Sequence, residues 1–323
     1  MPKLMDITWM MTIAIAATHA IAAVAQQYPH KSIRVLTSQP GGGSDLAART
    51  IAQGITGNLG QPVIVDNRGS GTLSGSIVAK APADGYTLLM QTSSLWTGQL
   101  ISPAKTPFDV LRDFAPITLA SIAPTVLVVP PSLPANSVRE LIALAKAKPA
   151  ELNYASGNTG SSAHLAAELF KHMAGVNIVR VNYKGTGQAL TDLMGGQVQV
   201  MFSVTGAATA QIKAGKLKAL AVSGAKPSTM MPGLPTVAAS GVPGFEAVSM
   251  FSVFAPAKTP NAIIERLNQE IVRVVNRVDV KEKFLGVGVE SVGSTPQELG
   301  AAIKSEMTRL GKMIKEAGIR EDE

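Results

Sequence analysis

The sequence predicts an α/β fold built as two units, and three observations carry that prediction. Short apolar runs alternate with stretches of helical period, the pattern of strands joined through helices. Glycine-rich turns follow the runs and open the helical stretches. The alternation occurs in two series, and 323 residues of 46% hydrophobic composition can bury two cores.

In the first series, IRVLTS precedes a helical pattern over 46–59, PVIVDN precedes one over 73–81, and YTLLMQT follows the Asp84-Gly85 turn. The second series starts at TVLVVP and passes through a helix that Ser137 and Glu140 open as a capping box. NYAS, VRVNY, VQVMF and LKALAVSG follow as strands. Proline and glycine crowd the stretch 227–245, which reads as an irregular connection before the run AVSMFSVFAP. Thr259-Pro260 starts a helix with Ile263, Leu267, Ile271 and Val275 on one face, and Thr295-Pro296-Gln297-Glu298 starts another. If these last helices pack on the first series, the chain crosses between units near 121–125 and 244–249, and two crossings make a hinge. The expected units are residues 26–124 with 248–323, and residues 125–247.

ITWMMTIAIAATHAIAAVA, ending at Ala25, has the apolar core and small terminal residues of a secretory leader, with cleavage expected after Ala25 and an N-terminal membrane anchor as the alternative. Its loss removes Lys3 and Asp6, so the formal charge of +7 stays with the mature chain. The basic residues are scattered and carry no RNA-reading motif; attraction of small anions is the simpler use of that charge, and no nucleic-acid partner is expected. The chain contains no cysteine, which excludes disulfides, thiolate nucleophiles and cysteine-bound metal. Of four histidines, His164 and His172 share a helix without a carboxylate at metal-ligand spacing, so no metal and no cofactor is expected. Gly69 to Gly75 has one residue too many for a dinucleotide fingerprint.

Ligands of open parallel sheets sit beyond the carboxyl ends of the strands, where this chain places its small polar residues. The candidates are Ser38, Gln39, Gly41 and Gly42 in one glycine-rich turn and Gly157, Thr159, Gly160, Ser161 and His164 in another, with Ser70, Ser93, Ser94, Lys184 and Ser203 at further strand ends. A glycine-rich turn that delivers a helix N-terminus offers free N–H groups to an anion, and two such turns suggest an anion gripped from both sides. A hydrolase reading, with Ser161 or Ser162 acting beside His164, competes with this; no G-x-S-x-G elbow supports it.

YPHKSIRVLTSQPGGGSD, GQPVIVDNR, PADGYTLL, RDFAPIT, VNYKGTGQALTDLMGGQV, LKALAVSG, LPTVAASGVPGFE and APAKTP stand in an order and spacing similar to those of a known family. The chain resembles the Bug-type receptors of tripartite tricarboxylate transporters. The resemblance implies a two-lobed, type II-like periplasmic binding protein that is not an enzyme. It implies hinge closure on a small organic carboxylate in the interlobe cleft, and a partner in the transporter membrane subunits or, alternatively, in a signalling protein. A monomer is expected. The family's first loop falls on Pro40, Gly41, Gly42 and Asp45, and its second on residues 157–162 with His164; the amides of Gly41, Gly42, Gly160 and Ser161 would take the carboxylate. Asp45 and Asp192 are expected to be structural. Ser38 replaces a usual aromatic, which implies a wider or wetter pocket, and Val198-Gln199 replaces Val-Asp, which argues against an amino acid. The implied ligand is a mono-, di- or tricarboxylate, aromatic ones included.

Overall fold

The computed structural model describes residues 28–320; the leader and its cleavage after Ala25 lie outside the described residues. The chain runs β1 (Ile33–Thr37), α1 (Gly43–Leu59), β2 (Val63–Asn67), α2 (Gly71–Ala79), β3 (Thr87–Thr92), α3 (Ser94–Ile101), a short 3₁₀ turn, and α4 (Val110–Asp113). β4 (Phe114–Val129) then leads to α5 (Val138–Ala147), β5 (Asn153–Ser156), α6 (Ser162–Ala174), β6 (Val179–Asn182), α7 (Thr186–Met194), β7 (Val200–Val204), α8 (Thr205–Lys213) and β8 (Lys218–Val222). After an irregular stretch come β9 (Val248–Pro256), α9 (Asn261–Val275), α10 (Val278–Leu285), β10 (Glu290–Ser291) and α11 (Pro296–Glu316).

The fold is the expected mixed α/β type. β2, β1 and β3 are parallel, as are β6, β5 and β7. The long strands β9 and β4 lie between the two sets and run antiparallel to their neighbours, giving the order β2-β1-β3-β9-β4-β7-β5-β6. β4 serves both halves. Its residues 114–124 pair with β9, and 125–128 pair with β7. The sequence reading placed a strand only at its second half; the first half continues it without a break, so the crossing near 121–125 is an unbroken strand.

The register sets where the parallel strands end. Thr92 of β3 and Ser121 of β4 both face Phe251, while Val204 of β7 faces Thr125. Ser121 and Thr125 are four residues apart on one strand, about 13 Å at the usual rise. The carboxyl ends of the two parallel sets therefore point at each other across a narrow gap.

Each half has its own core. β1, β3, β9, α1 and α9 enclose Ile33, Ile55, Leu88, Leu267 and Val274, and β4, β5, β7 and α6 enclose Leu127, Tyr154, Phe170 and Phe202. α9 buries Ile263, Leu267, Ile271 and Val275, the face its periodicity indicated. α1 approaches α9 closely enough that a Cβ at Gly54 would lie 2.5 Å from Val274 Cγ1. α11 opens with the Thr295–Glu298 capping box and packs on both halves: Leu299 and Ile303 enter the core beside Trp96 and Phe254, and Leu310, Met313 and Ile314 enter the core of Phe170 and Phe202. The box at Ser137 is half made, since Ser137 Oγ accepts the Glu140 amide but the Glu140 carboxylate takes the amide of Asn136 instead.

Candidate ligand-binding site

The first glycine-rich turn is braced from within. Asp45, buried at the start of α1, accepts the Gly41 amide at 3.0 Å, Asn67 Nδ2 at 2.9 Å and Arg49 Nε at 3.0 Å. Burial pushes its carboxyl up, but the hydrogen bonds from Arg49, Gly41 and Asn67 outweigh it and hold Asp45 below the usual carboxylate range. Asn67 Nδ2 also donates to the Ser38 carbonyl at 2.7 Å. Gly41 has φ +79°, a conformation glycine adopts without strain. Asp45 is thus the anchor of this turn. Gln39, Gly41 and Gly42 stay exposed above it.

The second turn hangs on Arg180, a residue the sequence reading passed over. From β6 its guanidinium donates to Ser156 Oγ at 2.9 Å, to the Gly157 carbonyl at 2.8 Å and to Thr159 Oγ1 at 3.2 Å. A planar fork suits this three-way hold, which a lysine does not reproduce. His164 sits behind the turn, 3% exposed, and its Nδ1 accepts the Gly160 amide at 3.1 Å. The ring is therefore neutral with its proton on Nε2. Burial, and then the charge of Arg180, push its pKa down to about 4. Ser161 caps α6 through Oγ, which accepts the His164 amide at 3.3 Å.

Three of the four amides expected to hold a carboxylate are thus already engaged, because Gly41 is bonded to Asp45, Gly160 to His164, and Ser161 to the Asn158 carbonyl. Gln199, read as a departure that disfavours an amino acid, stands at the opposite end of β7 from the gap. Its Oε1 accepts the Asn153 amide and its Nε2 donates to the Gly196 carbonyl. That argument against an amino acid falls with this placement.

Between the halves lies a cavity of about 170 Å³. Thr92, Ser93, Ser94 and Thr97 form one wall, Gly160, Ser161, Ser162 and Leu165 the other, and residues 246–249 with Glu306 and Leu310 close the base. Ser93 Oγ accepts the Met250 amide at 2.8 Å, which fixes the end of β3 to β9. The hydroxyls of Thr92 and Ser94 bond each other at 2.7 Å. A Cβ at Gly160 would lie 3.0 Å from Ile101 Cδ1 on the other half, so the two sides nearly touch here. A second cavity of about 200 Å³ shares Ser94, Thr97 and Gly160 with the first and adds Thr72 and Thr159.

The structure therefore gathers Ser93, Ser94, Gly160 and Ser161 around one cavity and Thr159 beside it. The other sequence candidates lie elsewhere. Ser38, Gln39, Gly41 and Gly42 stand outside its walls, Ser70 caps α2 by accepting the Leu73 amide, and Gly157 is tied to Arg180. Lys184 is exposed beyond β6, and Ser203 is buried within β7, its hydroxyl on the neighbouring Val204 carbonyl. Residues 203–206 are not a loop, since α8 starts directly from β7 at Thr205. Asp192 accepts the Tyr183 hydroxyl at 2.9 Å, a structural use.

A family model described as "Tripartite tricarboxylate transporter family receptor" matches residues 47–319. The chain belongs to this receptor family. Protein BugT of Bordetella pertussis is 39% identical to the receptor over 311 residues, covering 94% of this chain and 95% of that protein. A structure described as R. palustris Rpa4515 with adipate is 36% identical, with a TM-score of 0.70, and covers 91% of this chain and 99% of that one. MatC of Rhodopseudomonas palustris, solved with bound malate, is 27% identical with a TM-score of 0.67, covering 89% and 100%. The two solved relatives carry adipate and malate, and the receptor shares their fold.

Proposed function

We propose that the receptor binds a small organic carboxylate in the cavity between the Thr92–Ser94 turn and the Gly160–Ser162 turn. Residues 26–124 with 248–323 form one lobe and residues 125–247 the other, and the lobes close on the ligand by hinge motion. The protein works in the periplasm as a monomer after cleavage behind Ala25, and delivers the ligand to the membrane subunits of a tripartite transporter.

The observation that carries this reading is the cavity itself, whose opposite walls come from the carboxyl ends of the two parallel strand sets. Its volume of about 170 Å³ suits a ligand well below the roughly 300–1,000 Å³ of drug-sized sites. Adipate and malate, the ligands bound by two relatives, are of that scale. Its walls carry several hydroxyls and no Lys or Arg, so the anion is held by neutral donors. The reading is of a binding protein and not an enzyme, and what supports it against the serine hydrolase alternative is that a nucleophilic serine needs its hydroxyl on a ring nitrogen, whereas His164 Nδ1 is engaged by the Gly160 amide.

The test is thermal unfolding of the receptor with adipate, malate, other carboxylates, amino acids and sugars. A ligand at one hundred times its Kd adds about 2.7 kcal/mol, several degrees in Tm. A shift confined to carboxylates is the expected result. Stabilisation by sugars or cationic amines, with none by carboxylates, overturns the proposal.

A further inference from the structure

The cavity poses an electrostatic problem for the carboxylate reading, on which this inference rests. Its only ionisable wall groups are two glutamates, Glu246 and Glu306. An ionised carboxylate facing a bound anion across a few ångströms of low-dielectric space opposes binding. Glu246 is turned partly to solvent and lies 3.9 Å from Arg309 Nη1. Glu306 is shut off from solvent and forms no ion pair among the described residues, and Arg309 acts on it only through its charge.

Glu306 lies on the buried side of α11 and is only 5% exposed. Its Oε2 accepts the indole N–H of Trp96, itself fully buried, at 2.8 Å. Oε1 has no hydrogen-bond partner among the described residues, and the side chain lines the cavity. On the far side it lines a larger cavity of about 450 Å³, where Arg309, Lys226, Glu290 and Glu246 are the charged groups. Arg309 draws its proton off and Glu246 favours keeping it, while Glu290 is occupied by Ser228 and Thr229.

We propose that Glu306 is the ligand-specificity residue of this receptor: its carboxyl takes a proton from solvent when the ligand binds, and Oε1–H donates a hydrogen bond to the ligand carboxylate. Where Glu306 is ionised beforehand one proton enters per ligand, where it is already protonated none does, and no other bond changes. The chemistry selected is an anionic carboxylate of few atoms; a cationic or zwitterionic ligand whose ammonium meets Glu306 calls for the opposite protonation state. Geometry supports this. A neutral acid with one oxygen on the indole and one on the cavity satisfies both, whereas an ionised one leaves a buried charge with a single donor. Burial already pushes the carboxyl up to about 7, with the Trp96 hydrogen bond opposing, and an adjacent anion raises it further.

Tryptophan occurs at Trp9 and Trp96 alone, so a Trp9→Phe chain carries its only indole against Glu306. Fluorescence of that chain between pH 5 and 9, with and without Glu306→Gln, gives the first arm. Calorimetric titration of adipate and of malate into both proteins from pH 6 to 8.5, in buffers of different ionisation enthalpy, gives the second. Expected are an emission transition near pH 7 that Glu306→Gln abolishes, an affinity falling up to tenfold per pH unit above it, and a proton uptake that rises from near zero at pH 6 towards one at pH 8.5. Glu306→Gln binds with nearly constant affinity. A transition that persists in Glu306→Gln, or equal pH slopes in the two proteins, overturns the inference and leaves the carboxylate reading standing. No binding of either carboxylate at any pH, with no carboxylate of the thermal panel stabilising the receptor, overturns that reading and the inference together.

Discussion

Replacing His164 by Asn tests whether the second turn is held by a buried neutral ring. Asn Oδ1 can take the Gly160 amide in place of Nδ1, so the hydrogen bond of 3.1 Å is kept while the titration is removed. In the folded receptor, burial and the Arg180 charge lower the imidazole from 6.5 to about 4. Between those values the unfolded chain binds a proton that the folded chain does not, so stability is lost as pH falls from 6.5 towards 4. The displacement corresponds to about 3 kcal/mol. Glu306 runs the other way: its carboxyl, raised from 4.5 to about 7, is protonated in the folded state where the unfolded chain is ionised, so stability falls as pH rises through that window. The two slopes oppose each other in the parent protein, and the difference between parent and His164→Asn isolates the histidine. Urea unfolding of both proteins at steps from pH 7.5 to 4 should show the parent losing about 3 kcal/mol relative to the variant. Parallel profiles between 6.5 and 4 would refute the reasoning.

Arg180→Lys should release the second turn, since an ammonium cannot reach Ser156 Oγ, Thr159 Oγ1 and the Gly157 carbonyl at once. Hydrogen exchange at the Gly160 and Ser161 amides should speed up and the affinity for adipate or malate should fall about tenfold, the size of one charge-assisted hydrogen bond; unchanged exchange rates would show that the fork is dispensable. Gly54→Ala should destabilise by about 1–3 kcal/mol, because the new Cβ lies 2.5 Å from Val274 Cγ1 in a packed contact of α1 and α9. Adding Val274→Ala should recover part of that loss in chemical unfolding, and strict additivity of the two changes would count against a direct clash.

Most elements were legible because each is stated locally. The face of α9 follows from residues at helical spacing, and the Thr295–Glu298 box is spelled out in four letters. β4 was half missed because Ser121 and Pro124 interrupt its apolar pattern, and what makes 114–124 a strand is β9, more than a hundred residues away. The site was legible as strand ends but not as a cavity. Which hydroxyl faces the gap depends on register, and the register that sets Thr92 level with Ser121, four residues short of the Thr125 that Val204 faces, passes through β9. Arg180 was hidden inside VRVNY, where a cation on an edge strand reads as a solvated residue. Glu306 did leave a trace. Leu299, Ile303, Leu310 and Met313 form a helical stripe, and an acid stands on it where an apolar residue belongs.

If the lobes close by the hinge motion proposed above, that position has a mechanical consequence. α11 inserts Leu299 and Ile303 into one core and Leu310, Met313 and Ile314 into the other, and Glu306 occupies the turn between them. Its indole partner belongs to the first half, while Leu310, one turn further along, is buried in the second. Rotation of one lobe away from the other therefore has to act on the segment of α11 that holds Glu306, and an opened gap admits water to its carboxyl. Water lowers the cost of ionisation that burial imposes. The open receptor then favours the ionised acid, and the closed one, with an anion beside it, favours the protonated acid. Under that proposal ligand binding, lobe closure and proton uptake form one linked equilibrium read at a single side chain, and the Trp96 emission that reports Glu306 protonation should also report closure.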